Sequence, residues 1–162
     1  MLTVGQCRES GFAGATLRTN FVTVIERRSV SSESEFEKVV GYSRAVRIGP
    51  HVAVSGTTAA GDTIADQTRN ALRRIETALV EAGASLSDVI RTRMFVTDIS
   101  RWREAGAVHA EVFGDIRPAA TMVEVSALVS PELMVEIEVD AYVSEGVPEG
   151  PSGGNVPSGP GR

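Results

Sequence analysis

Cysteine is nearly absent from this chain of 162 residues: Cys7 stands alone. A single thiol excludes an intrachain disulfide and fits a reducing compartment, so a cytoplasmic location is expected. Histidine is almost as scarce. His51 and His109 lie far apart in sequence with no cysteine near either, so no metal site is expected. Long apolar runs are missing, which leaves no segment able to span a bilayer. Nor does any stretch join a basic start to an apolar run and a small-residue cleavage site, so export is not expected. An excess of positive charge is lacking too. The formal charge is −5, whereas phosphate binding normally shows as a basic patch, so nucleic acid is not an expected partner. No Ser–His–Asp grouping, phosphate loop or Gly-rich dinucleotide fingerprint is present.

What remains is an ordinary globular composition, 42% hydrophobic and 23% charged. That balance and length suit one domain with a real core. Two ends differ from the middle. Residues 1–20 mix Gly, Ser, Thr and isolated apolar residues without a period, and residues 146–162 are rich in Gly, Pro and Ser. Both are expected to be poorly ordered tails around a domain over residues 21–145.

Within the domain the hydrophobic period sets the order of elements. Residues 23–28 (TVIERR) suggest a first strand, and a polar stretch SSESEFEKVVGYS follows. Gly49-Pro50 then divides residues 45–55 into a β-hairpin. From Thr63 the period changes: Ile64, Thr68, Ala71, Leu72, Ile75, Ala78, Leu79 and Ala82 paint one stripe on a helix. Asp62 is the expected cap and Gly83 the left-handed stop. Residues 89–97 (VIRTRMFVT) suggest a strand with Ile90, Thr92, Met94 and Val96 on one face and Arg91, Arg93 and Phe95 on the other. Asp98 or Ser100 caps a second helix, with Trp102, Ala105, Val108, His109, Val112 and Phe113 along its stripe. Strands TMVEVSALV and MVEIEVDAYV close the chain. The order predicts an α+β fold of two layers, with two helices on a mixed six-stranded sheet. Val135, Ile137 and Val139 are expected on a sheet face the helices do not reach, which implies an oligomer.

GYSRAVRIG with HVAVSGT, QTRNALRRIETALVEAGASLSDVIRTRMFVTD, and FGDIRPAATMVEVSAL with LMVEIEVDA resemble, in order, the motifs of the RidA (YjgF-type) family. The resemblance covers residues 40–142. It implies a chorismate-mutase-like fold and a homotrimer with a small-molecule cleft between neighbouring subunits. It also implies deamination of enamines and imines such as 2-aminoacrylate without metal or cofactor: a cation holds the substrate carboxylate, and a carboxylic acid places water and protons.

By position, Tyr42, Ser55, Gly56 and Glu136 fall where the family's cleft residues lie, with Glu136 as the catalytic acid. Ser55-Gly56 has a plainer reading, a strand end whose glycine permits an unusual backbone angle. The active branch carries an arginine after R-P-A that binds the carboxylate; here the residue is Ala120. Gly106 and Met122 also depart from the residues usual in the cleft. A methyl group cannot replace a bidentate guanidinium. Arg44 is the expected compensation, a positive charge entering from the opposite wall, with Arg93 and Arg117 as weaker candidates. His109 is expected to be a packed, hydrogen-bonded residue. Three functions stay open: an imine deaminase of altered specificity, a trimer that binds a carboxylate or imine metabolite without turnover, and, least favoured by the acidic charge, a ribonuclease.

Overall fold

The computed structural model describes residues 26–32 and 34–144. The expected tails over 1–20 and 146–162, with Cys7, lie outside the described residues, as does the start of the strand expected over 23–28. Among the described residues six strands form: β1 (Arg27–Val30), β2 (Ala45–Ile48), β3 (His51–Thr57), β4 (Val89–Val96), β5 (Ala119–Glu124) and β6 (Val135–Tyr142). Helices α2 (Ile64–Glu81) and α3 (Trp102–Phe113) are the two anticipated ones. A third, α1 (Glu35–Val40), occupies part of the stretch read as polar loop, so the count of two helices is corrected to three. Six residues are too few for a helix to declare itself by period, because they span less than two turns.

The sheet order is β1-β2-β3-β6-β4-β5. Only β4 and β5 run parallel, joined through α3; every other pair is antiparallel. The last strand therefore slots into the centre, with both edges bonded. Val135, Ile137, Val139 and Ala141 of β6 are fully buried and pack with Leu72, Ile75 and Leu79 of α2 and with Val108 and Phe113 of α3. This corrects the expectation that Val135, Ile137 and Val139 lie on an uncovered face: they are the centre of the helix-covered core. The other face carries Glu136, Glu138 and Asp140, with Arg93 held between the last two at 2.6 Å and 3.1 Å. Ile48, Val123 and Tyr142 are exposed on that face, and Phe95 is half-buried beside Val123. An uncovered face exists, but it is mixed rather than apolar.

Local details follow the chain chemistry. Thr63, not Asp62, caps α2, its side chain accepting from the Asp66 N–H. Gly83 takes the left-handed φ of 73° that ends the helix. In β4 a register shift between Val89 and Arg91 turns Val89 inward and leaves Ile90 exposed, against the strict alternation expected there. Trp102 likewise stands out from its expected stripe and is exposed under the Arg103 guanidinium. One buried polar group ties the layers together. Gln67 of α2 donates to Gly61 O and Glu132 O and accepts from the Met134 N–H. That fully bonded amide fixes the entry to β6, and with it the position of Glu136.

Candidate functional site

A cavity of about 630 Å³ opens where α1, the end of β3, the start of β6 and the C-terminal half of α2 converge. Its polar wall begins at an irregularity in β3. Val54 pairs with Val139 but Thr57 pairs with Ile137, so β3 spends three residues where β6 spends two. The extra residue is a β-bulge at Ser55-Gly56, which takes two carbonyls out of the ladder. Arg44 answers them. Its Nη1 donates to Ser55 O at 3.5 Å, Gly56 O at 3.0 Å and Thr57 Oγ1 at 2.8 Å, and its Nη2 to the Tyr42 hydroxyl at 2.9 Å. Ser55 adds a bond from its hydroxyl to Ser43 O at 2.7 Å. The segment 42–44 reaches this position because Gly41 ends α1 with a left-handed φ of 80°.

Gly56 serves a purpose other than the unusual backbone angle considered for it. The positive-φ glycines among the described residues are Gly41, Gly49 and Gly83. At Gly56 a Cβ would overlap the Glu136 carboxylate outright, with Glu136 Cδ only 2.9 Å away. Glycine is required there so that a carboxylate can lie flat against the backbone. Burial raises the Glu136 pKa, the Glu138 charge pushes it further up, and the Arg44 charge opposes both. The result is a carboxyl group that keeps its proton to higher pH than an ordinary glutamate, beside a fixed guanidinium.

The facing wall is α1. Glu37 anchors this helix: Ser31 Oγ, Ser32 Oγ and the Ser32 N–H donate to its carboxylate at 2.5, 2.6 and 2.8 Å. Those bonds, with a smaller contribution from Arg44, bring the Glu37 pKa down to about 2. Phe36 and Val40 then face the cavity from α1, and Val129 from the β5–β6 connection.

Five of the expected site residues, Tyr42, Arg44, Ser55, Gly56 and Glu136, line this one cavity. Ala120 does not join them. It sits exposed on β5, paired with Thr92 at the far edge of the sheet, and Met122 shares that strand. Gly106 lies on α3. Arg93 is committed to Glu138 and Asp140. Arg117 is exposed, with φ 52°, and bonds Gly114 O. His109 accepts or donates to Thr92 Oγ1 at 2.9 Å and packs on Phe113, and burial lowers its pKa. Among the described residues no three His, Cys, Asp or Glu side chains gather to hold a metal ion, and no helix is long and apolar enough to cross a membrane. Sequence reasoning missed Phe36, Glu37 and Val40. The signal was present as Phe36 and Val40 four residues apart, just before a glycine, but α1 is too short for such a pair to stand out from chance.

Comparison with known proteins adds four matches. The family model described as Endoribonuclease L-PSP matches residues 32–143. A crystal structure of Rv2704 from Mycobacterium tuberculosis, a member of the YjgF/YER057c/UK114 family, is 69% identical. It superposes with a TM-score of 0.72 and covers 73% of this chain and 100% of that one. Among curated relatives, a RutC family protein of Pyrococcus abyssi is 34% identical over 62% of this chain and 85% of its own length. The 3-aminoacrylate deaminase RutC of Acinetobacter baylyi is 40% identical over 51% of this chain and 64% of its own.

Proposed function

The chain belongs to the Endoribonuclease L-PSP family, the group also called YjgF or RutC, and from that footing we propose that its cleft hydrolyses enamine or imine acids to keto acids and ammonia. The observation that carries this reading is the close approach of Glu136 to Gly56, in one cavity with Arg44. One relative bears the name of a deaminase for 3-aminoacrylate, an acid whose nitrogen sits on a carbon–carbon double bond.

The groups suit the steps. Arg44, already aligned by Tyr42 and the bulge carbonyls, receives the substrate carboxylate on its remaining N–H donors as a charge-assisted pair. Glu136, whose proton burial and the Glu138 charge hold to higher pH than in an ordinary glutamate, donates from its acid form to the imine nitrogen and so makes the carbon electrophilic. Water adds to that carbon. The carboxylate that remains takes a proton from the adding water to leave a carbinolamine, returns it to the amino nitrogen, and takes the hydroxyl proton as the C–N bond breaks, ammonia leaves and the carbonyl forms. Atoms balance as one imine and one water giving one keto acid and one ammonia. An enamine reaches the same path by first taking a proton on carbon. Neither metal nor cofactor enters the scheme.

The working unit in this reading is a homotrimer with the cleft completed by a neighbouring subunit. The open side of the cavity and the exposed Ile48, Val123 and Tyr142 on the uncovered sheet face support it. A second reading, a trimer that binds an imine or carboxylate metabolite without turnover, draws support from Ala120, which offers no cation from β5. Ribonuclease chemistry is disfavoured by a chain charge of −5.

The test is ammonia release from 2-iminopropionate generated in situ by an amino-acid oxidase, with the native protein beside Arg44→Ala and Glu136→Ala. Turnover lost in both variants supports the scheme. Turnover untouched by Arg44→Ala would remove Arg44 from the carboxylate role, and no turnover with any imine would favour the binding protein.

A further inference from the structure

The cavity lining is chemically mixed. Arg44, Tyr42 and Glu136 supply polar and charged groups, as do Arg74 and Glu81 of α2. Phe36, Val40 and Val129 supply apolar surface, exposed at 63%, 70% and 75% in the single chain. Three large apolar side chains around one cavity offer surface on which the apolar part of a ligand can be buried, beside whatever the neighbouring subunit covers. Their placement is not loose: the Glu37 anchor and the Gly41 stop hold Phe36 and Val40 over the cleft. The volume agrees. At about 630 Å³ the cavity falls in the range that accepts drug-sized ligands, well beyond the needs of a three-carbon acid.

We propose that this cleft selects α-imino acids, and their α-keto products, that carry a bulky apolar side chain, branched aliphatic or aromatic, with α1 as the specificity element. The inference rests on the deaminase reading for its chemistry, but not for its selectivity. Arg44 receives the carboxylate, which directs the α-substituent away from the polar wall. Phe36 and Val40 cover that substituent, and Val129 contributes from the β5–β6 connection. A methyl substituent is too short to cover Phe36, Val40 and Val129 together.

Two measurements on the full chain test it. The first is kcat/KM for imino acids generated in situ from alanine, leucine and phenylalanine. The expected order favours the leucine and phenylalanine products by at least about tenfold over the alanine product, the discrimination that a methylene or two earns in an apolar pocket. Phe36→Ser should narrow that ratio and Phe36→Leu should keep it. The second is calorimetric binding of phenylpyruvate and 4-methyl-2-oxopentanoate against pyruvate, which needs no turnover. Equal rates across the three imino acids would overturn the selectivity and leave the deaminase reading standing. An absence of turnover together with phenylpyruvate binding at least about tenfold tighter than pyruvate would sink the deaminase reading and uphold the selectivity. No turnover and no discrimination in binding would remove both.

Discussion

Replacing Gly56 by alanine puts a methyl group where the Glu136 carboxylate now lies. The added Cβ would overlap the carboxylate oxygen, with Cδ at 2.9 Å and Cγ at 3.3 Å. These atoms belong to the end of a flexible side chain, so Glu136 can turn aside rather than distort the sheet. An off-rotamer torsion costs about 1 kcal/mol, and the displaced carboxyl regains water, which offsets part of that. The stability change should therefore stay within about 1 kcal/mol, readable as a small shift in a thermal or urea transition. Catalysis should suffer far more, because a misplacement of about 1 Å can cost about a hundredfold in rate. A titration followed by carboxyl-carbon NMR supplies a readout independent of turnover: moved out of its buried niche, Glu136 should titrate closer to the ordinary 4.5. Gly114→Ala is the control. There a Cβ would meet the Ala110 carbonyl oxygen at 2.7 Å, at the end of α3 rather than in the cleft. Backbone cannot swing away, so that variant should lose stability while the Glu136 titration stays put. If Gly56→Ala kept its imine turnover within about threefold and left the Glu136 titration unchanged, against the loss expected from a displaced acid, the argument for a positioned carboxyl would collapse.

Two further outcomes follow from the titrating groups. Glu136→Gln should abolish turnover by at least about a hundredfold, the usual contribution of a general acid–base group, and yet raise stability at neutral pH. The folded state raises the Glu136 pKa above 4.5, so it holds the proton more tightly than the unfolded chain does. Its ionisation therefore erodes stability as pH rises above 4.5, an erosion the neutral amide escapes. Thermal melts of both proteins at pH 4 and pH 7.5 should show the gap in favour of Glu136→Gln only at the higher pH; a gap of the opposite sign there would refute the assignment. Glu37 has the reverse sign, because its folded pKa lies at about 2 against 4.5. Its anchoring of α1 is complete above pH 4.5 and is lost as pH falls from 4.5 towards 2. Hydrogen exchange corrected for intrinsic rates should find amides 35–40 less protected, relative to β6, at pH 3 than at pH 6. An unchanged ratio would mean that the serine hydroxyls do not hold the helix.

How far the sequence could be read depended on the length of the signal. The stripe from Ile64 to Ala82 and the alternation of β6 each run over enough residues to declare their period, and both elements formed as expected. The same period assigned Val135, Ile137 and Val139 to one face of β6 but could not say which layer covers it. Periodicity fixes which residues share a face; the order of strands and the side on which the helices pack decide what that face meets. Likewise the motifs around Tyr42, Ser55-Gly56 and Glu136 pointed to the cleft, and the structure brings those residues together with Arg44. The use of Gly56 was hidden. It depends on a bulge that skips one residue between β3 and β6 and on a carboxylate arriving from a strand eighty residues away. The raised pKa of Glu136 and the lowered pKa of Glu37 were hidden for a related reason: burial and hydrogen-bond count are properties of the neighbourhood, not of the residue. By itself the chain's order of residues determined the longer elements, which residues share a face, and five of the groups in the cleft, Tyr42, Arg44, Ser55, Gly56 and Glu136. Only the tertiary structure decided which strand lies at the centre, which face stays open, and that Gly56, Arg44 and Glu136 line one cavity, because each of those outcomes depends on contacts between segments that are remote in sequence.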